Sequence, residues 1–293
     1  MHVFITGGTG VIGSTVITEL REHGHTVLAL ARSDRSAAAV AELGAEALRG
    51  ELADLDVLRT GAERADGVIS LAFGRDYGSP EALAASIAEE AAAMATLGEA
   101  LVGSGRPIVA ASGTPAATGR AATEDDPLLL EGPVAARSRS VHALLALAER
   151  EVRATAVRLP RTVHHRGEGG FAGLLVENAR RTGVAGFPGS GDQRWPAVHA
   201  RDAAALFRLA LESAPGGTAW HAVADEGDAV RDIAAVIGRR LGLPVAQVPA
   251  ETFGPFGPIF AADQPASSTR TREALGWRPT HPSLLADLEN VRP

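Results

Sequence analysis

Cysteine and lysine are both absent from this chain, and tyrosine occurs once, at Tyr77. Without cysteine, disulfides, thiolate catalysis and cysteine-rich metal sites are excluded. Without lysine, every permanently cationic side chain is an arginine, whose guanidinium stays protonated under all ordinary conditions. Basic charge is also the minority: the net charge is −7 and the pI about 5.7. That balance argues against a surface built to attract phosphate backbones, so no nucleic-acid partner is expected. A long uninterrupted hydrophobic run is missing too, because the alanine-rich stretch from Ala82 to Val102 is broken by Glu89, Glu90 and Glu99. With an apolar strand starting at residue 2 and no leader-like segment before it, the expectation is a cytoplasmic protein with no membrane partner.

What is present in quantity is glycine, and its placement near the start carries the most information. Val3-Phe4-Ile5 is an apolar strand, Thr6-Gly7-Gly8-Thr9-Gly10-Val11-Ile12-Gly13 follows it, and a helix-like run continues to Glu22. Gly7, Gly10 and Gly13 recur every third residue, and Gly8, Gly10 and Gly13 satisfy Gly-x-Gly-x-x-Gly. Glycines at this spacing allow a tight turn, close approach of the backbone to a pyrophosphate and close packing of helix on strand. The free N–H groups of the helix start would face the phosphates. A second strand, Thr26 to Leu30, completes a dinucleotide-binding unit.

The first half alternates strands and helices, as a parallel sheet covered on both faces requires. Strands are expected at Val3–Thr6, Thr26–Ala31, Glu46–Gly50, Gly67–Ala72, Ile108–Ser112 and Ala154–Leu159, with helices near 11–23, 35–43, 54–64, 80–102 and 133–150. Later elements are shorter: helices near 171–181, 202–212, 228–241 and 282–290, and strands near Trp195–Val198 and Trp220–Ala224. The expected fold is α/β, a Rossmann-type doubly wound parallel sheet over residues 1–160, with a smaller substrate-binding lobe over 161–293. Elements near 195–224 should return to the main sheet, so one clean cut is not expected.

The second strand ends Ala31-Arg32-Ser33. An NAD site places an acid there to accept the ribose hydroxyls, whereas an NADP site places a small residue and then an arginine. Arg32 can pair with a 2′-phosphate through its planar fork, and the Ser33 hydroxyl can add a bond. Asp34 is the competing acid, but it lies beyond the apolar run. NADP(H) is therefore the expected cofactor.

The motif spacing and the later strand ends resemble the extended form of the short-chain dehydrogenase/reductase superfamily, the NAD-dependent epimerase/dehydratase type. Glu51-Leu52 matches its acid–leucine pair beside the adenine, and Leu71-Ala72-Phe73 matches the small strand end under the cofactor. Ser268 to Pro279, with Leu275-Gly276-Trp277-Arg278-Pro279, resembles its closing Leu-Gly-Trp-x-Pro, carrying the likeness nearly to residue 290. The resemblance implies cofactor contacts from Gly7, Gly10, Val11, Ile12, Gly13, Arg32, Ser33, Glu51, Leu52, Leu71, Ala72, Phe73, Ser112, Arg139, Leu159 and Pro160.

One departure is decisive for chemistry. Members of that superfamily usually carry Tyr-x-x-x-Lys, in which lysine holds the ribose and lowers the tyrosine pKa. Here Ala135 and Arg139 stand at those places, with Arg137 as an alternative cation half a turn away. An arginine can hold ribose hydroxyls but cannot join a proton relay. The resemblance places a catalytic hydroxyl at the end of the fifth strand, where Ser112 and Thr114 both remain candidates for polarising a substrate oxygen. Proton donors in reach of the chemistry are water, Tyr77 in the loop after the fourth strand, and His164 in the stretch Arg158 to His165.

Substrate contacts are expected from Tyr77, Thr114, Arg194, Trp195, Phe256 and Phe260, with a fixed cation and an aromatic face selecting a planar or anionic ligand. Phe253 and Ile259 share the covering loop. Asp202 reads as a helix cap, and His164, His165 and His199 lack a carboxylate at metal-ligand spacing, so no metal is expected. The expected activity is reduction of a small carbonyl-type substrate by NADPH. A non-redox isomerase or lyase of the same fold, and a non-catalytic NADP(H)-sensing protein, stay open, as does a homodimer.

Overall fold

The computed structural model describes residues 1–74, 79–128, 130–131 and 135–292, and of Pro80, Pro255 and Phe256 the backbone only. Tyr77 and the side chain of Phe256 thus lie outside the described residues. In chain order the elements begin β1 (His2–Thr6), α1 (Val11–Glu22), β2 (Thr26–Ala31), α2 (Asp34–Glu42), β3 (Glu46–Arg49), α3 (Leu55–Glu63), β4 (Gly67–Ser70), α4 (Pro80–Glu99), β5 (Pro107–Gly113), α5 (Ala135–Ala146) and β6 (Arg153–Leu159). They continue β7 (Thr162–His164), α6 (Gly170–Thr182), β8 (Ala185–Pro188), β9 (Arg194–His199), α7 (Ala200–Ser213), β10 (Thr218–His221), β11 (Asp225–Ala229), α8 (Val230–Leu241), β12 (Val245–Val248), α9 (Gly257–Phe260), α10 (Thr269–Leu275) and α11 (Leu284–Leu288).

The chain forms two compact units that interleave in sequence: Met1–Ser112, Leu128–Arg158 and Ala204–Trp220 make the first, and Gly113–Pro127, Leu159–Ala203 and His221–Pro293 the second. In the first unit seven strands pair in the order β10-β6-β5-β4-β1-β2-β3. The pairs β3–β2, β2–β1, β1–β4 and β4–β5 are parallel. This is the Rossmann-type doubly wound sheet. Strands β1, β2, β4, β5 and β6 are buried on both faces and so read as continuous apolar runs. Phe4, Leu28, Val68 and Ile108 of the strands pack with Leu58, Met94, Leu97, Val141 and Leu144 of the helices. Strand order reverses between β1 and β4, and such a switch point leaves a crevice at the carboxyl ends of the strands.

The second unit is built on a three-stranded sheet, β11-β9-β7, and a two-stranded one, β12-β8. Helices α6, α8 and α11 bring Leu175, Val176, Ile233, Ile237, Leu284 and Leu288 onto Trp195, Phe253 and Phe260. The closing motif has a visible task here. The Trp277 indole N–H donates to the Asp202 carbonyl at 2.9 Å, and the Asp202 carboxylate accepts from the Thr280 and His281 backbone N–H groups. Asp202 therefore fastens the carboxyl-terminal segment; it sits two residues inside α7 and is not the cap expected of it. No helix among the described residues is long and apolar enough to cross a membrane.

Candidate functional site

A groove of about 380 Å³ opens at the switch point of the first unit, lined by Gly7, Thr9, Gly10, Leu30, Arg32, Ser36, Gly50, Glu51, Leu52, Leu71, Ala72, Phe73, Gly74 and Glu89. Backbone geometry explains the glycines. Gly7 has φ +77°, and a Cβ there would lie 2.8 Å from the Ala72 nitrogen; a Cβ on Gly13 would lie 2.1 Å from the Gly7 carbonyl oxygen. Turn, helix and the β4 end are thus in backbone contact, which leaves the space above them clear. The Thr6 hydroxyl ties the β4 end further by accepting from the Leu71 and Ala72 N–H groups, each at 3.3 Å. Gly10 is the N-cap of α1 and offers no side-chain cap, so the N–H groups of Val11, Ile12 and Gly13 keep no helix-internal acceptor. A pyrophosphate suits those donors, and the residues present fit a dinucleotide.

At the far end of the groove Arg32 is exposed and makes no ion pair among the described residues, whereas Asp34 has its carboxylate 3.4 Å from Arg49. The acid that competed with Arg32 is therefore turned to another arginine. Ser33 departs from the expected role. Its hydroxyl caps α2 by accepting from the Ser36 N–H at 3.2 Å, and Ser36, unlike Ser33, lines the groove. The sequence signal for Ser36 was the Ser-x-x-Ser spacing of a capping box, which places two hydroxyls together at one helix start.

Phe73 on the groove wall is covered by Arg137, whose guanidinium carbon is 4.5 Å from the ring centroid. Glu90 holds Arg137 in place with contacts of 2.8–3.1 Å to Nε and Nη2. Burial pushes the Glu90 carboxyl up, against the opposing hydrogen bonds of that arginine. Arg137 is consumed by this pair. Arg139 is exposed, donates one hydrogen bond, 3.3 Å, to the Leu130 carbonyl and makes no ion pair among the described residues, but it is not among the residues that line the groove. Ala135 is buried.

Ser112 lies near the end of β5, 8% exposed, and Thr114 one residue beyond the strand is equally enclosed. Neither hydroxyl makes a hydrogen bond among the described residues. The backbone at Thr114 is fixed from both sides: its N–H donates to the Leu159 carbonyl at 2.9 Å and its carbonyl accepts from Gln264 at 2.7 Å. Leu159 and Pro160 belong to the second unit and do not line the groove.

Three expectations in the second unit are corrected. His164 is 1% exposed and bonded to Asp287 at 2.9 Å, and the same carboxylate accepts from the Arg166 and Gly167 N–H groups. An enclosed ring fixed in this way is a structural hub, not a donor meeting substrate. Trp195 and Phe260 are 0% and 2% exposed and pack edge to face at 5.1 Å, with Phe171 against both, so they are core and not cleft. Arg194 is not a free cation, because Asp263 takes its Nε at 3.1 Å, its Nη2 at 2.9 Å and its backbone N–H at 2.6 Å.

Around His164 three further histidines, His165, His199 and His281, form one cluster. His165 Nδ1 is 3.1 Å from His199 Nε2, and the His199 ring stacks on His281 at 4.7 Å and 8°. The Arg201 N–H donates to His199 Nδ1 at 3.2 Å, which assigns the His199 proton to Nε2 and leaves Nδ1 bare. Burial, then the neighbouring His164 and His281, push His199 down to about 4. His199, Asp202 and His281 are close enough to share a cation.

Comparison with known proteins decides the family. The model of the NAD dependent epimerase/dehydratase family matches residues 3–222. The chain belongs to that family. An uncharacterized protein of Schizosaccharomyces pombe is 39% identical over 98% of each chain. The 3-diazoavenalumate denitrifying reductase of a Streptomyces species is 30% identical over 97% of each. Among solved structures, a UDP-glucose 4-epimerase of Stenotrophomonas maltophila with bound NAD superposes with TM-score 0.80 at 18% identity, covering 99% of this chain and 96% of that one. At that identity the likeness is one of fold.

Proposed function

We propose that this family member is an NADP(H)-dependent reductase of a small carbonyl-type substrate. The observation that carries the reading is at the tip of β2, where Arg32 makes no ion pair among the described residues while Asp34 faces Arg49 at 3.4 Å. A guanidinium fork beside the groove suits a 2′-phosphate, and the acid two residues further on, Asp34, faces Arg49. The reductase name of the Streptomyces relative, which aligns end to end, supports the redox class.

In this reading the N–H groups at the start of α1 and the clear space over Gly7 and Gly10 hold the pyrophosphate, Arg32 and Ser36 the 2′-phosphate, and Arg139 the nicotinamide ribose. NADPH, when bound, supplies the hydride. Ser112 or Thr114 donates a hydrogen bond to the carbonyl oxygen as it gains charge. With no lysine in the chain the proton comes from water or Tyr77. The test is NADPH oxidation across a panel of carbonyl substrates. A family model named for epimerases and dehydratases supports a second reading, non-redox isomerisation or elimination. Product formation without net NADPH consumption would establish it, and tight NADPH binding without any product would mark a sensing protein.

A further inference from the structure

Arg194, expected as the substrate's cation, is spent on Asp263; a different arginine is not spent. Arg161 follows β6 by two residues and makes no ion pair or side-chain hydrogen bond among the described residues. Its Nε is buried without a partner. The guanidinium lies over the Phe171 ring, 5.3 Å from carbon to centroid. A second unpaired donor, the indole N–H of Trp195, belongs to a ring packed on that same phenyl group at 5.9 Å. Burial lowers the Arg161 pKa to about 10, so the group remains cationic at neutral pH. A half-desolvated guanidinium with no acid is costly, and proteins retain such a group where something else completes it.

We infer that Arg161 anchors the carboxylate of a small organic acid that is the substrate. Phe171 takes one face of the guanidinium, and a carboxylate is the partner that a guanidinium fork binds along its edge. One unpaired arginine balances a monoanion, which favours a carboxylate over a phosphate dianion. The inference rests on the reductase reading only in calling the ligand a substrate; the anchor itself exists without turnover.

The test is therefore binding, measured by calorimetry on the whole protein without NADPH, using cinnamate, its neutral amide cinnamamide, and inorganic phosphate. Cinnamate should bind saturably and at least about tenfold tighter than cinnamamide or phosphate. Arg161→Gln should remove that preference, and Arg161→Lys should retain part of it, since charge survives and the fork does not. The thermal midpoint of the free Arg161→Gln protein should equal or exceed that of the unmodified one, because an uncompensated charge is removed. No saturable cinnamate binding, equal affinity for acid and amide, or unchanged cinnamate affinity in Arg161→Gln would overturn the inference. Tightest binding of phosphate would assign the anchor to a phosphorylated ligand instead. Loss of NADPH oxidation with carboxylate binding intact would count against the reductase reading alone.

Discussion

Gly13→Ala is the substitution with the largest calculable effect on the cofactor groove. The new methyl group would sit 2.1 Å from the Gly7 carbonyl oxygen and 2.8 Å from the Gly8 Cα, both backbone atoms, where ordinary contact begins at 3.4 Å. No rotamer relieves this. The turn must open by more than about 1 Å, which would break the Gly10 N–H to Gly7 carbonyl bond of 3.1 Å and move the α1 start out of hydrogen-bond range of a phosphate. Two charge-assisted bonds lost at about 1.5–3 kcal/mol each give about 3–6 kcal/mol, or roughly 10² to 10⁴ in Kd. Overpacking should also cost about 1–3 kcal/mol of stability. Gly10→Ala is the matched control. Its methyl would meet only the Gly7 oxygen, at 3.5 Å, so the fold should tolerate it, yet it projects from a residue that lines the groove. Calorimetric NADPH titration with thermal melting should find both functions of Gly13 damaged, and in Gly10→Ala weakened binding at near-native midpoint. Near-native affinity in Gly13→Ala would refute the backbone-contact argument.

Two further predictions concern buried charge in the second unit. Burial, then Asp225 and Asp232, raise Asp228 to about 6, above its unfolded value of about 3.9. Its favourable proton uptake on folding is complete below pH 4 and lost as pH rises to 6, so Asp228→Asn should stabilise the protein by about 1–2 kcal/mol at pH 7.5 and not at pH 3.5. Equal melting shifts at both pH values would contradict this. His199 is the opposite case: with its folded pKa near 4 and an unfolded value near 6.5, the stability tied to its neutral form is present above pH 6.5 and lost as pH falls to 4. The loss should be on the order of 2–3 kcal/mol, and His199→Gln should flatten that part of the pH–stability profile; an unaltered profile would show that the cluster absorbs the proton elsewhere.

The first unit was legible in the sequence because its signals are local. The inner parallel strands are apolar runs, each helix follows at short range, and Gly7 and Gly13 announce backbone contacts that only glycine permits. The second unit was less so. Strand β7 has three residues, and β11 reads Asp-Glu-Gly-Asp-Ala with a register shift against β9, so neither carries an alternating pattern. Partner choice was the least legible property. Arg194 and Arg161 look alike in sequence, and only the fold, by bringing Asp263 to one and Phe171 to the other, separates a neutralised arginine from a free one. His164 likewise seemed poised for proton transfer until Asp287, more than a hundred residues away, closed on it.

The account's central claim is that Arg32 selects the phosphorylated cofactor, and direct titration of NADPH and NADH against the unmodified protein and Arg32→Ala tests it. A charge-assisted contact worth about 1.5–3 kcal/mol predicts at least roughly tenfold tighter NADPH, with most of the preference gone in the variant. Equal affinities, or tighter NADH, in the unmodified protein would contradict it.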